Sequence, residues 1–166
     1  MRTFFRTLYG KISIIFLLLV FTFGAVEIFV SIRSSINYVC EANQKLNYTV
    51  ASNLAEACEP YLADSIDYNG LQHTMTNLMM INQRIEAYLL DETGSVMAFY
   101  NESNILKRNH VDVEPIKRFL TENSYENLPI FGDDPISDTR CKVFSASAVN
   151  YGKMAKKGFI YVILAS

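Results

Sequence analysis

The chain contains 166 residues, half of them hydrophobic, and its formal net charge at pH 7 is −2. Arg2, Arg6 and Lys11 are the only charged residues among the first eleven, so residues 12–166 carry a net charge of −5. This balance argues against a nucleic acid as partner, because nucleic-acid binding requires a basic face. The part that follows the first apolar segment is long enough for one ordinary domain.

That apolar segment covers residues 12–32 and is interrupted only by Glu27. A helix of about 20 apolar residues can cross the ~30 Å hydrocarbon core of a bilayer. Three cations precede the segment and Arg33 follows it, and the cation-rich end of such a helix stays in the cytoplasm. We therefore expect a single pass through the inner membrane, with a cytoplasmic tail over residues 1–11, a membrane helix over residues 12–33 and an extracytoplasmic part over residues 34–166.

A cleavable secretory signal is the alternative for this segment. Such a signal has an apolar core of about 7 to 15 residues and a cleavage site made of small residues. The apolar run is longer here, and Ala25 is followed by Val26 and Glu27, which makes a poor cleavage site. The sequence favours an uncleaved anchor.

Residues 34–63 contain no glycine and no proline before Pro60, and their apolar residues recur at helical spacing. The stripe consists of Ile36, Val39, Leu46, Val50, Leu54, Ala57 and Tyr61. We expect one nearly continuous helix from the membrane segment to residue 63. The stripe is either the seam of a homodimer, whose register Asn43 could fix, or the face on which the helix packs against its own domain. The two alternatives stay open.

The three cysteines are Cys40, Cys58 and Cys141. On one helix, Cys40 and Cys58 would be about 27 Å apart, which is beyond disulfide reach. A Cys40 pair across a dimer is possible, but buried, unpaired thiols are the favoured interpretation.

Residues 67–100 predict a turn, a short helix and a hairpin. The spacing of the apolar residues changes from helical to alternating after residue 84. Asp67-Tyr68-Asn69-Gly70 is turn chemistry, and a short amphipathic helix is expected over residues 71–83. Residues 85–90 and 95–100 read as two strands joined by the turn Asp91-Glu92-Thr93-Gly94, with Gly94 at the position that requires positive φ.

The last third predicts one helix and two strands. Asp112 can cap a helix that tolerates Pro115 in its first turn, and residues 129–135 read as a loop. Residues 142–149 and 159–164 are the closing strands, and the last is apolar on both faces, so it should be central in the sheet. The order of elements predicts an α+β fold, an antiparallel sheet with helices packed on one side.

Four segments carry a resemblance to a known family. They are YLLDETGSVMAFY at 88–100, PIFGDDP at 129–135, KVFSASAV at 142–149 and GFIYVILAS at 158–166. With the basic start and the apolar helix, they resemble the extracytoplasmic sensor region of bacterial two-component sensor histidine kinases, of the single Cache type with a PAS-like sheet. The resemblance implies an input domain that binds a signal and transmits it across the membrane. It also implies a second membrane helix, a relay and a kinase module beyond residue 166. Similar hairpins occur in chemoreceptors and in membrane-bound diguanylate cyclases.

No nucleotide-binding, zinc-protease or serine-hydrolase motif occurs, so we expect no enzyme and no cofactor in this chain. His73 and His110 have no second ligand at metal spacing, so no metal site is expected. For Asp133 and Asp134, an exposed turn beside Pro135 is favoured over a cation site.

A sensor pocket on such a sheet would be lined by alternate side chains of the hairpin and of the closing strands. The candidate ligand-binding residues are Tyr88, Tyr100, Arg140, Phe144 and Tyr161. Arg140 could hold a carboxylate, and the aromatic residues could form apolar walls. For each of them, core packing or an ordinary surface position is the alternative. The rival function is an anchored adhesion or protein-interaction domain; the expected partners are the membrane, an unidentified small-molecule or protein signal, and a second copy of the chain.

Overall fold

The computed structural model describes residues 8–81, 85–100, 105–121 and 124–164. The chain divides into two compact units, residues 1–38 and residues 39–166.

The first unit is helical in its described part. Helix α1, Leu8–Leu46, begins there, and its best 18-residue window has a mean hydropathy of 2.5 with no part buried. By length and composition this helix could cross a membrane. Phe16, Phe21 and Phe29 are each more than half exposed, as are most of the neighbouring apolar side chains.

The helix expected over residues 34–63 is divided. Helix α1 ends at Leu46, α2 covers Val50–Cys58, and a 3-10 turn at Glu59–Tyr61 follows. At the interruption, the side-chain amide of Asn47 donates to the backbone oxygen of Asn43 at 2.9 Å. An asparagine side chain competes with the backbone for such acceptors, and this weakens the helix without a glycine or a proline.

The stripe on this segment meets two environments. Leu54 is buried, with Ala51, Ala55 and Cys58 of α2. Ile36, Val39 and Leu46 are each more than half exposed. In the distal half of the stripe, Leu54 is buried and Val50 and Tyr61 pack against the same core, whereas Ala57 is exposed, so this half packs within its own domain only in part.

The second unit is α+β, with a curled antiparallel sheet of five strands. Its strands are β1 at Ile85–Asp91, β2 at Val96–Tyr100, β3 at Phe131–Asp133, β4 at Cys141–Tyr151 and β5 at Lys156–Leu164. Their order is β2-β1-β5-β4-β3, so β5 is central, as predicted. Strand β3 lies where the sequence indicated a loop.

Both faces of the sheet are covered, because side chains on both faces of β1 and β5 are apolar. The first face carries Ala87, Leu89, Val143, Ile160 and Val162, and it packs against α2 and α3, Tyr68–Ile81. The second face carries Tyr88, Leu90, Phe144, Tyr161 and Ile163, and it packs against α4, Val113–Phe119. The expectation of helices on one side is therefore wrong.

The predicted hairpin is confirmed. Gly94 has φ +95° in the turn between β1 and β2. The Asp91 carboxylate accepts hydrogen bonds from the backbone of Thr93 at 2.8 Å and of Ser95 at 2.9 Å. Burial alone would raise the pKa of Asp91, but these bonds and that from the Thr93 hydroxyl outweigh it and lower the pKa.

The cysteines are free thiols in two environments. Cys40 and Cys58 are buried, whereas Cys141 is exposed at the start of β4, where a buried thiol was expected. Burial raises the pKa of Cys58 to about 11. Cys141 is therefore the accessible thiol among the three.

Candidate functional site

Three of the five predicted site residues meet on the second face. Tyr88 of β1 pairs with Tyr161 of β5, and Phe144 of β4 lies beside Tyr161. The ring centroids of Tyr88 and Tyr161 are 6.4 Å apart, and those of Phe144 and Tyr161 are 4.9 Å apart. All three side chains are fully buried, so they form packed core beneath α4.

The other two candidates lie elsewhere. Tyr100 pairs with Ala87 and therefore packs on the first face. Arg140 is exposed, and its side-chain Nε donates to the Ser137 hydroxyl at 3.3 Å. Of the predicted site residues, only Tyr88, Phe144 and Tyr161 therefore lie together, and they are called the aromatic wall below.

The aromatic wall has a polar end at Tyr161. The Tyr161 hydroxyl donates to the backbone oxygen of Asp133 at 2.9 Å. Burial, with a smaller contribution from the Asp133 carboxylate, raises the pKa of Tyr161 well above its ordinary value. Gly132 fits closely here, since a Cβ at this position would lie 2.5 Å from the Tyr161 hydroxyl. Tyr161 is held as a neutral hydrogen-bond donor.

A charged triad adjoins this wall. Lys142 Nζ lies 3.3 Å from Glu86 Oε1 and 3.2 Å from Asp134 Oδ2. Glu86 also accepts a hydrogen bond of 2.7 Å from the Tyr88 hydroxyl. The Asp134 side chain is fully buried, which corrects the expected exposed turn. One ammonium therefore serves two carboxylates in a largely water-excluded place.

Residues 105–119, which include α4, cover the second face and are called the cover below. Asp133 holds this cover in place. Its carboxylate lies 2.6 Å from an Arg108 guanidinium nitrogen and accepts from the backbone N–H of Asp112 at 3.0 Å. The backbone N–H groups of Lys107 and Arg108 both donate to the Pro135 oxygen at 3.0 Å. The described residues that precede α4 are thereby tied to the turn that follows β3.

Sequence reasoning missed Glu86 and Lys142, although a signal was present. Each stands two residues before a predicted site residue, Tyr88 or Phe144, and residues two apart in a strand share a face. Charged side chains are rarely buried, so neither residue stands out as part of a site in an apolar pattern.

A surface cleft of about 690 Å³ lies at a different place, along the outer edge of β4. Its lining includes Glu56 and Glu59 near the end of α2, Lys117 of α4 and Asn150 of β4. None of the five predicted residues contributes to it.

Within the described ranges, no group of three or more His, Cys, Asp or Glu side chains is placed to hold a metal ion. Comparisons with family models, with curated proteins and with solved structures gave no match.

Proposed function

We propose that this chain is a membrane-anchored extracytoplasmic sensor domain, the input part of a two-component histidine kinase of the single Cache, PAS-like type. The observation that carries the proposal is the succession of two unlike units. A helix with exposed apolar side chains comes first, and a separate unit built on a five-stranded antiparallel sheet follows. This arrangement suits a domain that is held at a membrane and works outside it.

The signal in this proposal is a small molecule that binds on the second face. Tyr88, Phe144 and Tyr161 supply apolar walls, and the triad around Lys142 supplies charge. The rings are fully packed, so binding requires the cover fastened at Asp133 to open. A ligand shifts this equilibrium only if it binds the open arrangement more tightly than the closed one.

Gln44 connects the second face with α1. It belongs to the last turns of that helix, and its side-chain amide donates to the backbone oxygen of Phe144 at 2.7 Å. Displacement of Phe144 would therefore act directly on α1. The exposed residues Ile36, Val39 and Leu46 are the surface through which we propose that two copies pair.

Thermal-shift measurements on the full chain in detergent test signal binding. Amino acids, organic acids, amines and divalent ions are the probes, because a ligand that binds only the folded state raises the melting temperature. A ligand on the second face should lose its effect in Lys142→Met and keep it in Lys117→Met, which alters a lysine outside the triad. No shift with any probe, or equal shifts in both variants, speaks against this site.

The native cysteines test the location independently. A membrane-impermeant maleimide added to intact bacterial cells should label the chain at Cys141, and Cys141→Ser should abolish the labelling. Labelling that requires cell lysis would place residues 39–166 in the cytoplasm and remove the sensor proposal.

A sensor of a chemoreceptor or of a diguanylate cyclase would use the same input unit. An anchored protein-interaction domain is the second candidate, and the open cleft along β4 favours it. Small-molecule shifts separate the sensor from the interaction domain.

A further inference from the structure

Strand β4 is much longer than its outer neighbour. It covers Cys141–Tyr151, whereas β3 pairs only with Cys141, Lys142 and Val143. Its register with β5 is continuous from Phe144 to Tyr151. Residues 144–151 therefore form an outer edge that β3 does not cover.

Two contacts fix the direction of the backbone groups at this edge. Phe144 accepts a hydrogen bond from Gln44 at 2.7 Å, and Gly152 donates to the Leu62 oxygen at 2.8 Å. Both partners lie outside the sheet, and backbone groups of alternate residues in a strand point to the same side. Ala146, Ala148 and Asn150 thus direct their N–H and C=O groups outward. Ala146 is buried, whereas Ala148 and Asn150 are exposed and line the cleft.

These outward groups lack a backbone partner among the described residues. The Ala148 oxygen has a weak contact of 3.5 Å with the Ser147 hydroxyl. A row of unpaired strand groups is a template for another strand.

The cleft along this edge is lined by the carboxylates of Glu56, Glu59 and Glu92 and by the ammonium groups of Lys117 and Lys157. Helix α2 packs on the first face, and Glu56 and Glu59 line the cleft from that side. Helix α4 packs on the second face and contributes Lys117. In an added strand, successive side chains would point alternately to these two walls.

We propose that the cleft binds an extended peptide segment of a partner protein, which adds as a sixth strand along Ala148 and Asn150. Its basic side chains face α2, and its acidic side chains face α4. Main-chain hydrogen bonds supply affinity in this mode, and the alternate side chains supply specificity. The proposal goes beyond the small-molecule function and uses a different place on the domain.

A second copy of this chain fits the cleft less well. Antiparallel pairing of two β4 edges about Ala148 would keep both α2 helices on the same side of the joined sheet. The carboxylates of Glu56 and Glu59 from the two copies would then approach one another, and like charges repel. Charge complementarity therefore favours a peptide that alternates in charge.

The test is a binding titration of the full chain in phosphatidylcholine nanodiscs, followed by fluorescence anisotropy. The probe is a labelled octapeptide that alternates lysine and glutamate. A block peptide with four lysines followed by four glutamates has the same composition. As a strand, however, it places lysines and glutamates together on each of its two faces. Two further peptides keep the alternating sequence but carry N-methyl groups on alternate amides, the first on the odd-numbered and the second on the even-numbered ones. Only one of the two can then donate hydrogen bonds to β4.

Ala148→Pro is the matching protein variant, because it removes an outward N–H without breaking the ladder to β5. Ala148→Val keeps that N–H and serves as the control. We expect saturable binding of the alternating probe that weakens about tenfold or more with the block peptide, with one N-methylated register and with Ala148→Pro, which corresponds to about 1.4 kcal/mol. Ala148→Val should bind as the unaltered chain does.

Absence of saturable binding, or equal affinity for the alternating, block and both N-methylated peptides, overturns the proposal. Self-association that Ala148→Pro abolishes would assign the edge to a second copy instead and would overturn it too. If Ala148→Pro fails to fold, the comparison of the peptides on the unaltered chain still decides.

Discussion

Gln44 exchanges two hydrogen bonds with the backbone of Ile130. Its side-chain nitrogen donates to the Ile130 oxygen at 3.0 Å, and its side-chain oxygen accepts from the Ile130 N–H at 2.8 Å. The same nitrogen also reaches the Phe144 oxygen, so a fully buried glutamine takes the place of a strand residue beside β4.

Replacing Gln44 by alanine should lower the free energy of unfolding by about 3 kcal/mol, because it leaves buried backbone groups of Ile130 and Phe144 without partners. Glu41→Gln, one turn earlier at a half-buried position, removes only the helical ion pair with Lys45 and should change it by less than about 0.5 kcal/mol. Denaturant titration of both variants in detergent measures the difference. Equal stabilities would mean that water replaces the amide without cost.

The charged triad predicts a non-additive pair of substitutions. Lys142→Met should cost about 3 kcal/mol, because it leaves the buried Asp134 carboxylate without its cation. Adding Asp134→Asn to Lys142→Met should recover part of that loss. A double-mutant cycle of thermal unfolding measures the coupling, and strictly additive losses would show that the two side chains do not interact.

Tyr161 should make the domain sensitive to alkali. Burial raises its pKa in the folded state above the ordinary value of 10.0, so the unfolded chain loses the proton first. The free energy of unfolding should therefore fall as pH rises above about 10. Tyr161→Phe should reduce this slope, whereas Tyr68→Phe, at an exposed position, should leave it unchanged. Urea titrations between pH 8 and pH 11 give the slopes, and parallel curves for all three proteins would contradict the prediction.

Substitution of two glycines with positive φ allows the cost of backbone strain to be measured apart from the cost of a steric clash. Gly94→Ala meets the backbone oxygen of Val111, whereas Gly152→Ala, at φ +71°, enters open space. The second change should cost about 1 kcal/mol, the ordinary penalty for the left-handed region, and the first should cost about 3 kcal/mol or more. Melting temperatures compare the two, and equal shifts would show that the hairpin yields without cost.

The thiols should react in a defined order. Cys141 is exposed, whereas Cys58 is buried with its pKa raised to about 11. At neutral pH an aromatic disulfide reagent should modify Cys141 rapidly and Cys58 only after denaturation, since the thiolate is the reactive form. Absorbance at the reagent's product band follows both phases. Rapid modification of Cys141→Ser would show that one of the buried thiols is accessible.

Local patterns predicted the central part of the fold. The alternation and turn chemistry of residues 85–100 gave the hairpin, and the apolar run before residue 165 gave the central strand. Asp112 caps α4 as predicted, since its carboxylate accepts from the N–H of Glu114 at 3.0 Å.

Tyr100 shows why the site was predicted less well than the fold. The register of the hairpin shifts between Leu89 and Leu90. If the pairing of Leu90 with Val96 continued unchanged, Tyr100 would lie opposite Glu86, on the same face as Tyr88. The irregularity moves it by one residue and so to the other face, and nothing in the local sequence marks that shift.

The other differences also depend on long-range contacts. Strand β3 has three residues and exists through its pairing with β4. The ion pair between Arg108 and Asp133 joins residues that are far apart in the chain. Periodicity reports which side chains share a face, but it carries no information about such partners.

The convergence of bonds on Asp133 has a dynamic consequence. Arg108 and Asp112 bind its carboxylate, and Tyr161 binds its carbonyl oxygen. Because one residue serves three elements, loosening any one of these bonds weakens the hold on the others. Amide protons from Lys107 to Asp112 should then exchange with solvent as a single cooperative group, at a lower free energy than those of β5.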